Sequence, residues 1–202
     1  MQNALSLYMG SEAAKTIASR GWQSAPLSTL IGASGGPKWL ILSELDKVLA
    51  ETLLLGREEP ITLLGSSIGT WRHACLSLND PRAAISRLQQ AYLSQEYSSA
   101  KPSPIEVSEV AEQMLREALG PEGARQIAAH PTLHNAIITA RAKGVARGEN
   151  GWKLGMGMAT ATLSNAVSRR GLGLLFDRVA FCHNELSSLP FADGFNTQLT
   201  PI

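Results

Sequence analysis

The sequence predicts an α/β fold with three layers, in which helices cover both sides of a mostly parallel central sheet. Apolar segments of strand length alternate along the chain with segments of helical period, the pattern typical of such sheets. Two of the strand-like segments run into glycine-rich turns that lead directly into helices. The length of 202 residues and an apolar content of 44% fit a single domain with a proper core.

The first part of the chain predicts two strand and helix units. Residues 4–10 read as a strand and residues 11–21 as a helix. Residues 27–32 form the next predicted strand, and a helix follows Pro37, because proline at a first helical position gives up a donor that the helix cannot use. The leucines of that helix recur at three- and four-residue steps and predict one buried stripe: Leu42, Leu45, Leu49 and Leu53.

The same alternation continues to the end of the chain. Residues 61–64 predict a strand, and the residues from Ile68 to about Asn79 are compatible with a helix. Residues 151–165 fit either a strand or the start of a helix. The remaining predictions are helices at about 81–95, 107–119 and 124–129, an exposed loop at 98–104, and strands at 132–140, 177–184 and 195–202.

Composition excludes several classes of function. Eighteen basic and seventeen acidic side chains leave a net charge of +1 without a basic block, so a nucleic-acid partner is not expected. No charged and apolar leader opens the chain, and no window approaches the roughly 18 apolar residues of a membrane span, which predicts a cytoplasmic protein. Cys75 and Cys182 lie far apart and outside any metal-ligand spacing, so no metal site and no cofactor are predicted.

Residues 65–69, with the sequence GSSIG, match the GxSxG pattern and place Ser67 at its centre. The pattern has a physical rationale between a strand and a helix, where a sharp turn exposes one hydroxyl and small neighbours avoid the backbone. Both flanking elements are predicted here. A nucleophile at a helix N-terminus also gains from the aligned backbone dipoles. The structural alternative is a tight glycine turn whose serines cap the helix.

A second glycine-rich turn, residues 32–36 with the sequence GASGG, lies about thirty residues upstream. Loops at the carboxyl ends of parallel strands gather on one edge of a sheet, so the two turns are expected to meet. The backbone N–H groups of Gly35 and Gly36 could then face the oxygen of a tetrahedral intermediate on Ser67 and form an oxyanion hole. The alternatives are a turn for close helix packing, or a phosphate cradle, for which neither usual glycine motif is present.

Together, GASGGPKWL (residues 32–40) and GSSIGTWRHACL (residues 65–76) resemble the two N-terminal motifs of bacterial patatin-like phospholipases. The specific part of the resemblance covers about residues 28–78. It implies a patatin-like α/β domain and a serine acyl hydrolase that degrades phospholipids or other lipid esters, without a metal or organic cofactor. A lipid or acyl-ester substrate follows from the same resemblance, and we also expect transient contact with a membrane surface.

The resemblance also assigns roles to individual residues. It makes Ser67 the nucleophile and the amides of Gly35 and Gly36 the oxyanion donors. Lys38 stands where the family usually has an arginine or lysine, and it is predicted to bind substrate. The sequence departs from the family at Trp39, where many members have another glycine; we expect this tryptophan in the core.

The resemblance implies a general base that is an aspartate, because patatin-like enzymes use a Ser/Asp dyad whose aspartate belongs to a DGG or DGA motif. Asp193 is the only aspartate that is followed by glycine, and the third residue of its motif is Phe195 rather than glycine or alanine. We therefore expect the base beyond Ile202 and interpret the chain as the N-terminal part of a longer protein. In that case residues 1–202 would carry the nucleophile without its base.

Two further hypotheses stay open. An α/β hydrolase with a Ser-Asp-His triad would take its base from His130, His134 or His183. His73 does not suit that role, because its place in the helix puts it roughly two-thirds of a turn away from Ser67 and about 9 Å along the axis. The other hypothesis is a catalytically silent protein that binds acyl chains or lipids.

Lipid contact has two further candidate features in the sequence. Residues 169–176, RRGLGLLF, could touch a bilayer surface, although a turn into a buried strand is the favoured interpretation. Trp71 follows the second glycine turn, where it would line an acyl pocket or belong to the core.

Overall fold

The computed structural model of the protein describes residues 8–21, 27–144, 173, 175–183 and 197–201. These residues form a five-stranded sheet and six α-helices. The strands are β1 (Thr29–Gly32), β2 (Ile61–Gly65), β3 (Leu133–Ala142), β4 (Phe176–Cys182) and β5 (Thr197–Pro201). The helices are α1 (Ser11–Arg20), α2 (Ser43–Leu49), α3 (Ile68–Leu76), α4 (Pro81–Leu93), α5 (Pro104–Leu119) and α6 (Gly123–Ala128), with a 3₁₀ helix (Gly36–Leu42) before α2 and a π-helical turn (Ala50–Leu54) after it.

The sheet is mostly parallel and follows the order β1-β2-β3-β4-β5. Strands β1, β2 and β3 run parallel, β4 runs antiparallel to β3, and β5 runs parallel to β4. Gly32 at the end of β1 pairs with Gly65 at the end of β2. The turns that follow these two strands therefore leave the same edge of the sheet at the same level.

Apolar clusters lie on both faces of the sheet, because successive residues of a strand point in opposite directions. Leu63 of β2 belongs to the larger cluster, which includes residues of α3 and α4. Its neighbour Leu64 belongs to a smaller cluster with Ala136 of β3 and Cys182 of β4. Burial of both faces is typical of parallel sheets. It confirms the predicted α/β class and is compatible with three layers.

Most of the predicted elements are confirmed to within a few residues. Helix α5 begins at Pro104, earlier than predicted, because the Ser103 hydroxyl accepts a hydrogen bond from the Glu106 N–H at 3.1 Å and caps it. Residues 8–10 of the first predicted strand are described and do not form a strand, whereas its residues 4–7 and the ambiguous segment 151–165 lie outside the described residues. No helix within the described ranges combines the length and apolarity needed to cross a bilayer.

The predicted leucine stripe after Pro37 is wrong in part. The segment winds first as a 3₁₀ helix, then as α2, then as a π turn, so a single period of 3.6 residues does not describe it. Leu42 is 38% exposed, whereas Leu53 is buried as predicted. The buried side of the segment includes Trp39, in the core as expected, and the polar side chain of Asp46.

Candidate active site

The turn between β2 and α3, residues 65–69, holds Ser67 in a strained backbone conformation. Its φ of 52° and ψ of −133° make it the one non-glycine residue with positive φ among the described residues. Such a conformation costs about 1–3 kcal/mol and persists where the surroundings impose it. Here α3 does so, since the Thr70 N–H donates to the Ser67 carbonyl at 2.9 Å. The Ser67 side chain is exposed at the carboxyl end of β2.

The two glycines of this turn leave no room for a side chain. A Cβ on Gly65 would lie 2.8 Å from the Thr70 nitrogen. A Cβ on Gly69 would lie 2.2 Å from the carbonyl oxygen of Gly32, in the first glycine-rich turn. The sharp turn and the approach of the two loops therefore both require glycine at these positions.

The two glycine-rich turns meet at one edge of the sheet, as the sequence predicts. The hydroxyl of Ser34 lies 2.7 Å from the hydroxyl of Ser66, and it also donates to the Ser66 carbonyl at 3.3 Å. The Ser66 N–H donates to the Gly32 carbonyl at 3.3 Å. The first turn, which we call the glycine loop (residues 32–36), is therefore bonded to the residue that precedes Ser67.

The predicted oxyanion donors lie in this glycine loop. Gly36 has φ of 51° and opens the 3₁₀ helix, and Gly35 precedes it in an extended φ of −167°. Within the described part of the chain, neither amide N–H has a hydrogen-bond acceptor. Lys38 follows on the 3₁₀ helix, and its side chain is exposed. Two unpaired donors thus lie in the loop that Ser34 holds against the turn.

The side chain of His73 in α3 packs against the first residue of the glycine loop. A Cβ on Gly32 would lie 2.8 Å from His73 Cε1 and 2.9 Å from Nε2, so the imidazole packs directly against this glycine. The side chain is 3% exposed. Burial, helped by the positive charge of Arg72, lowers the pKa of His73 to about 4. The ring is therefore neutral at pH 7 and has a packing role, in agreement with its rejection as a base.

The other histidines lie at the amino ends of β2 and β3, the end of the sheet opposite to Ser67. His134 pairs with Thr62, five residues before Ser67, which is about 16 Å along a strand. His183 stacks on His134 with ring centroids 4.3 Å apart. His130 lies just before β3 at this same end, and burial, together with the two neighbouring imidazoles, lowers its pKa. None of the three is placed to act as the base of a triad with Ser67.

An ion pair that sequence reasoning missed joins the helices on which the two loops are built. Arg72 of α3 donates from Nε and Nη2 to the two carboxylate oxygens of Asp46 of α2, both at 2.6 Å. The Asp46 side chain is 1% exposed and that of Arg72 is 13% exposed. The two residues lie 26 positions apart, so no local pattern announces the pairing. An aspartate within a predicted apolar helix face is the one signal that could have suggested it.

Two further predicted features have different outcomes. Trp71 is half-buried and packs against the larger core cluster. Asp193 lies outside the described residues, as does most of the segment 169–176. Among the residues that are described, no carboxylate or imidazole contacts the Ser67 hydroxyl.

No protein-family model, no curated protein and no solved structure matches the chain.

Proposed function

We propose that the protein is a serine acyl hydrolase of the patatin-like kind, with Ser67 as its nucleophile and a lipid or other acyl ester as its substrate. The observation that carries the proposal is the strained conformation of Ser67. A serine that merely capped α3 would accept a hydrogen bond from that helix, yet the Ser67 side chain forms no such bond. Its strain therefore has no role in stabilising α3, whereas a nucleophile on a strand-to-helix turn needs this geometry.

The glycine loop supplies the second half of the proposed mechanism. Ser67 Oγ attacks the ester carbonyl carbon, and the carbonyl oxygen becomes an anion that accepts hydrogen bonds from the amides of Gly35 and Gly36. One such donor is worth on the order of 10² to 10³ in rate. The N-terminus of α3 adds further stabilisation of negative charge.

Proton transfer completes the reaction. An aspartate outside the described residues takes the proton from Ser67 Oγ and returns it to the alcohol as the ester bond breaks. Water then hydrolyses the acyl-enzyme and releases the carboxylic acid. Lys38, exposed beside the glycine loop, is our candidate for contacting the substrate. We place the protein in the cytoplasm, in transient contact with membrane surfaces.

A fluorophosphonate probe tests the proposal on the longest natural form of the protein. Ser67 Oγ should form a bond to phosphorus and release fluoride, and peptide mass mapping should locate the adduct on Ser67. Ser67→Ala should abolish labelling, whereas Ser11→Ala, which removes an exposed hydroxyl at the start of α1, should leave it unchanged. Labelling that survives Ser67→Ala would contradict the proposal.

A second candidate function is a catalytically silent protein that binds acyl chains. It is favoured by the lack of an acid or imidazole beside Ser67 among the described residues. This candidate predicts that the longest natural form neither reacts with the probe nor hydrolyses esters, while it still binds a fluorescent fatty acid. Ester turnover that depends on Ser67 would exclude it.

A further inference from the structure

We propose that Asp46 and Arg72 are positioning residues for the proposed reaction: their ion pair sets the distance between the glycine-loop amides and the Ser67 hydroxyl. This inference rests on the proposed function. We call the pair the helix clamp. It joins α2, which carries the glycine loop at its N-terminal side, to α3, which begins next to Ser67.

The first step of the argument is the directness of the connections. From Gly36 the chain runs through the 3₁₀ helix into α2 without an intervening loop, and Asp46 lies within α2. Ser67 immediately precedes α3, and Arg72 lies five residues further along. Each reactive group is therefore attached to one clamp residue by continuous helical backbone. A change in the clamp moves one helix relative to the other, and the reactive groups move with them.

The second step is the geometry of the pair. Two parallel bonds of 2.6 Å engage both carboxylate oxygens of Asp46, so the clamp restricts orientation as well as distance. The Ser34 to Ser66 contact, which also joins the two units, is an exposed hydrogen bond for which water can compete. The clamp is thus the better protected of these two side-chain connections.

The third step is energetic. A buried ion pair is weak evidence of net stabilisation, because desolvation offsets the attraction and apolar residues of similar size often do as well. A forked ion pair constrains both the distance and the orientation of its two partners, which is what two groups that must meet at one carbonyl require.

The test separates positioning from stability by using two variants. Arg72→Lys keeps the charge but loses the fork. The double variant Asp46→Leu with Arg72→Leu replaces the pair by apolar side chains. We expect both to keep a melting temperature close to that of the unsubstituted protein and to lose about 10- to 100-fold in kcat and in fluorophosphonate labelling rate, with KM little changed.

Arg87→Lys is the matched control. Arg87 also donates through Nε and Nη2, here in two partly buried hydrogen bonds to the Ala118 carbonyl at 3.1 and 2.9 Å, and it joins α4 to α5 away from both loops. It should shift the melting temperature as much as Arg72→Lys does and leave the rates unchanged. Full activity of a folded double variant, or equal rates for Arg72→Lys and Arg87→Lys, would overturn the inference.

Hydrogen exchange provides a readout that does not need activity. In Arg72→Lys, the hydrogen-bonded amides of Lys38 and Ser66, which donate to the carbonyls of Gly35 and Gly32, should exchange faster, while those within β2 should not. Unchanged exchange of these two amides would refute the clamp whatever the enzymology shows. A wild-type protein that reacts with no probe would instead refute the proposed function, and the exchange result would then still decide whether the ion pair holds the two turns together.

Discussion

Gly69→Ala is the substitution for which the structure makes the sharpest prediction. The added Cβ would lie 2.2 Å from the Gly32 carbonyl oxygen and 2.4 Å from its carbon, where ordinary contact begins at 3.4 Å. The end of β1 and the start of α3 must therefore separate by about 1 Å. A displacement of that size between reacting groups costs about 10² in rate.

The stability cost of the same substitution is smaller. Overpacking destabilises the folded protein by about 1–3 kcal/mol, whereas alanine stabilises a helix by roughly 0.5–1 kcal/mol relative to glycine. The expected net loss of about 1–2 kcal/mol lowers the melting temperature by about 2–8 °C in a domain of this size. Fluorophosphonate labelling rate and thermal unfolding measure the two effects on one sample.

Gly10→Ala is the control for Gly69→Ala. Nothing lies within 4 Å of a Cβ on Gly10, and its φ of −66° suits any residue. This variant should keep the labelling rate and the melting temperature of the unsubstituted protein. If Gly69→Ala behaved in the same way, the close approach of α3 to the glycine loop, and the reasoning built on it, would be wrong.

Three further substitutions have defined outcomes. Ser34→Ala removes the exposed contact with Ser66. It should lower the labelling rate by less than about tenfold, because a net hydrogen bond is worth about 0.5–1.5 kcal/mol. A loss above a hundredfold would mean that the hydroxyl acts on the substrate itself. The pKa of His73 is lowered by burial from 6.5 to about 4, so between these pH values the unfolded chain binds a proton that the folded protein does not. The free energy of unfolding should therefore decrease as the pH falls from about 6.5 towards 4, by up to roughly 3 kcal/mol. Urea titrations should find that this free energy depends less on pH in His73→Gln. If the two proteins showed the same pH dependence, the imidazole would be in contact with water. His134→Gln and His183→Gln should each leave ester hydrolysis unchanged, and loss of turnover in either would favour a triad that the fold does not bring together.

The strand and helix pattern, and the turn at residues 65–69, were predictable because they depend on consecutive residues. Alternation of apolar segments reports which face of a strand or helix is buried, and a serine between two glycines reports a sharp reversal. The prediction failed where winding changed within one element. An α-helical period predicts a buried Leu42, but this residue lies in a 3₁₀ helix, where the period is shorter and the side chain is exposed.

The meeting of the two glycine-rich turns was partly predictable. Parallel strands direct their carboxyl ends to one edge, which is a rule of topology and needs no detail of side chains. The contact of Gly69 with Gly32 and the bond between Ser34 and Ser66 are different in kind. They depend on a register that pairs Gly32 with Gly65, and only the folded sheet determines it.

By itself, the sequence determined the α/β class and the sharp turn at Ser67, because each follows from the conformations open to a few neighbouring residues. The tertiary structure alone decided the pairing of Asp46 with Arg72 and the placement of His134 at the opposite end of the strands from Ser67. These features join residues far apart in the chain, and their contacts depend on the relative orientation of whole helices and strands, which no local pattern contains.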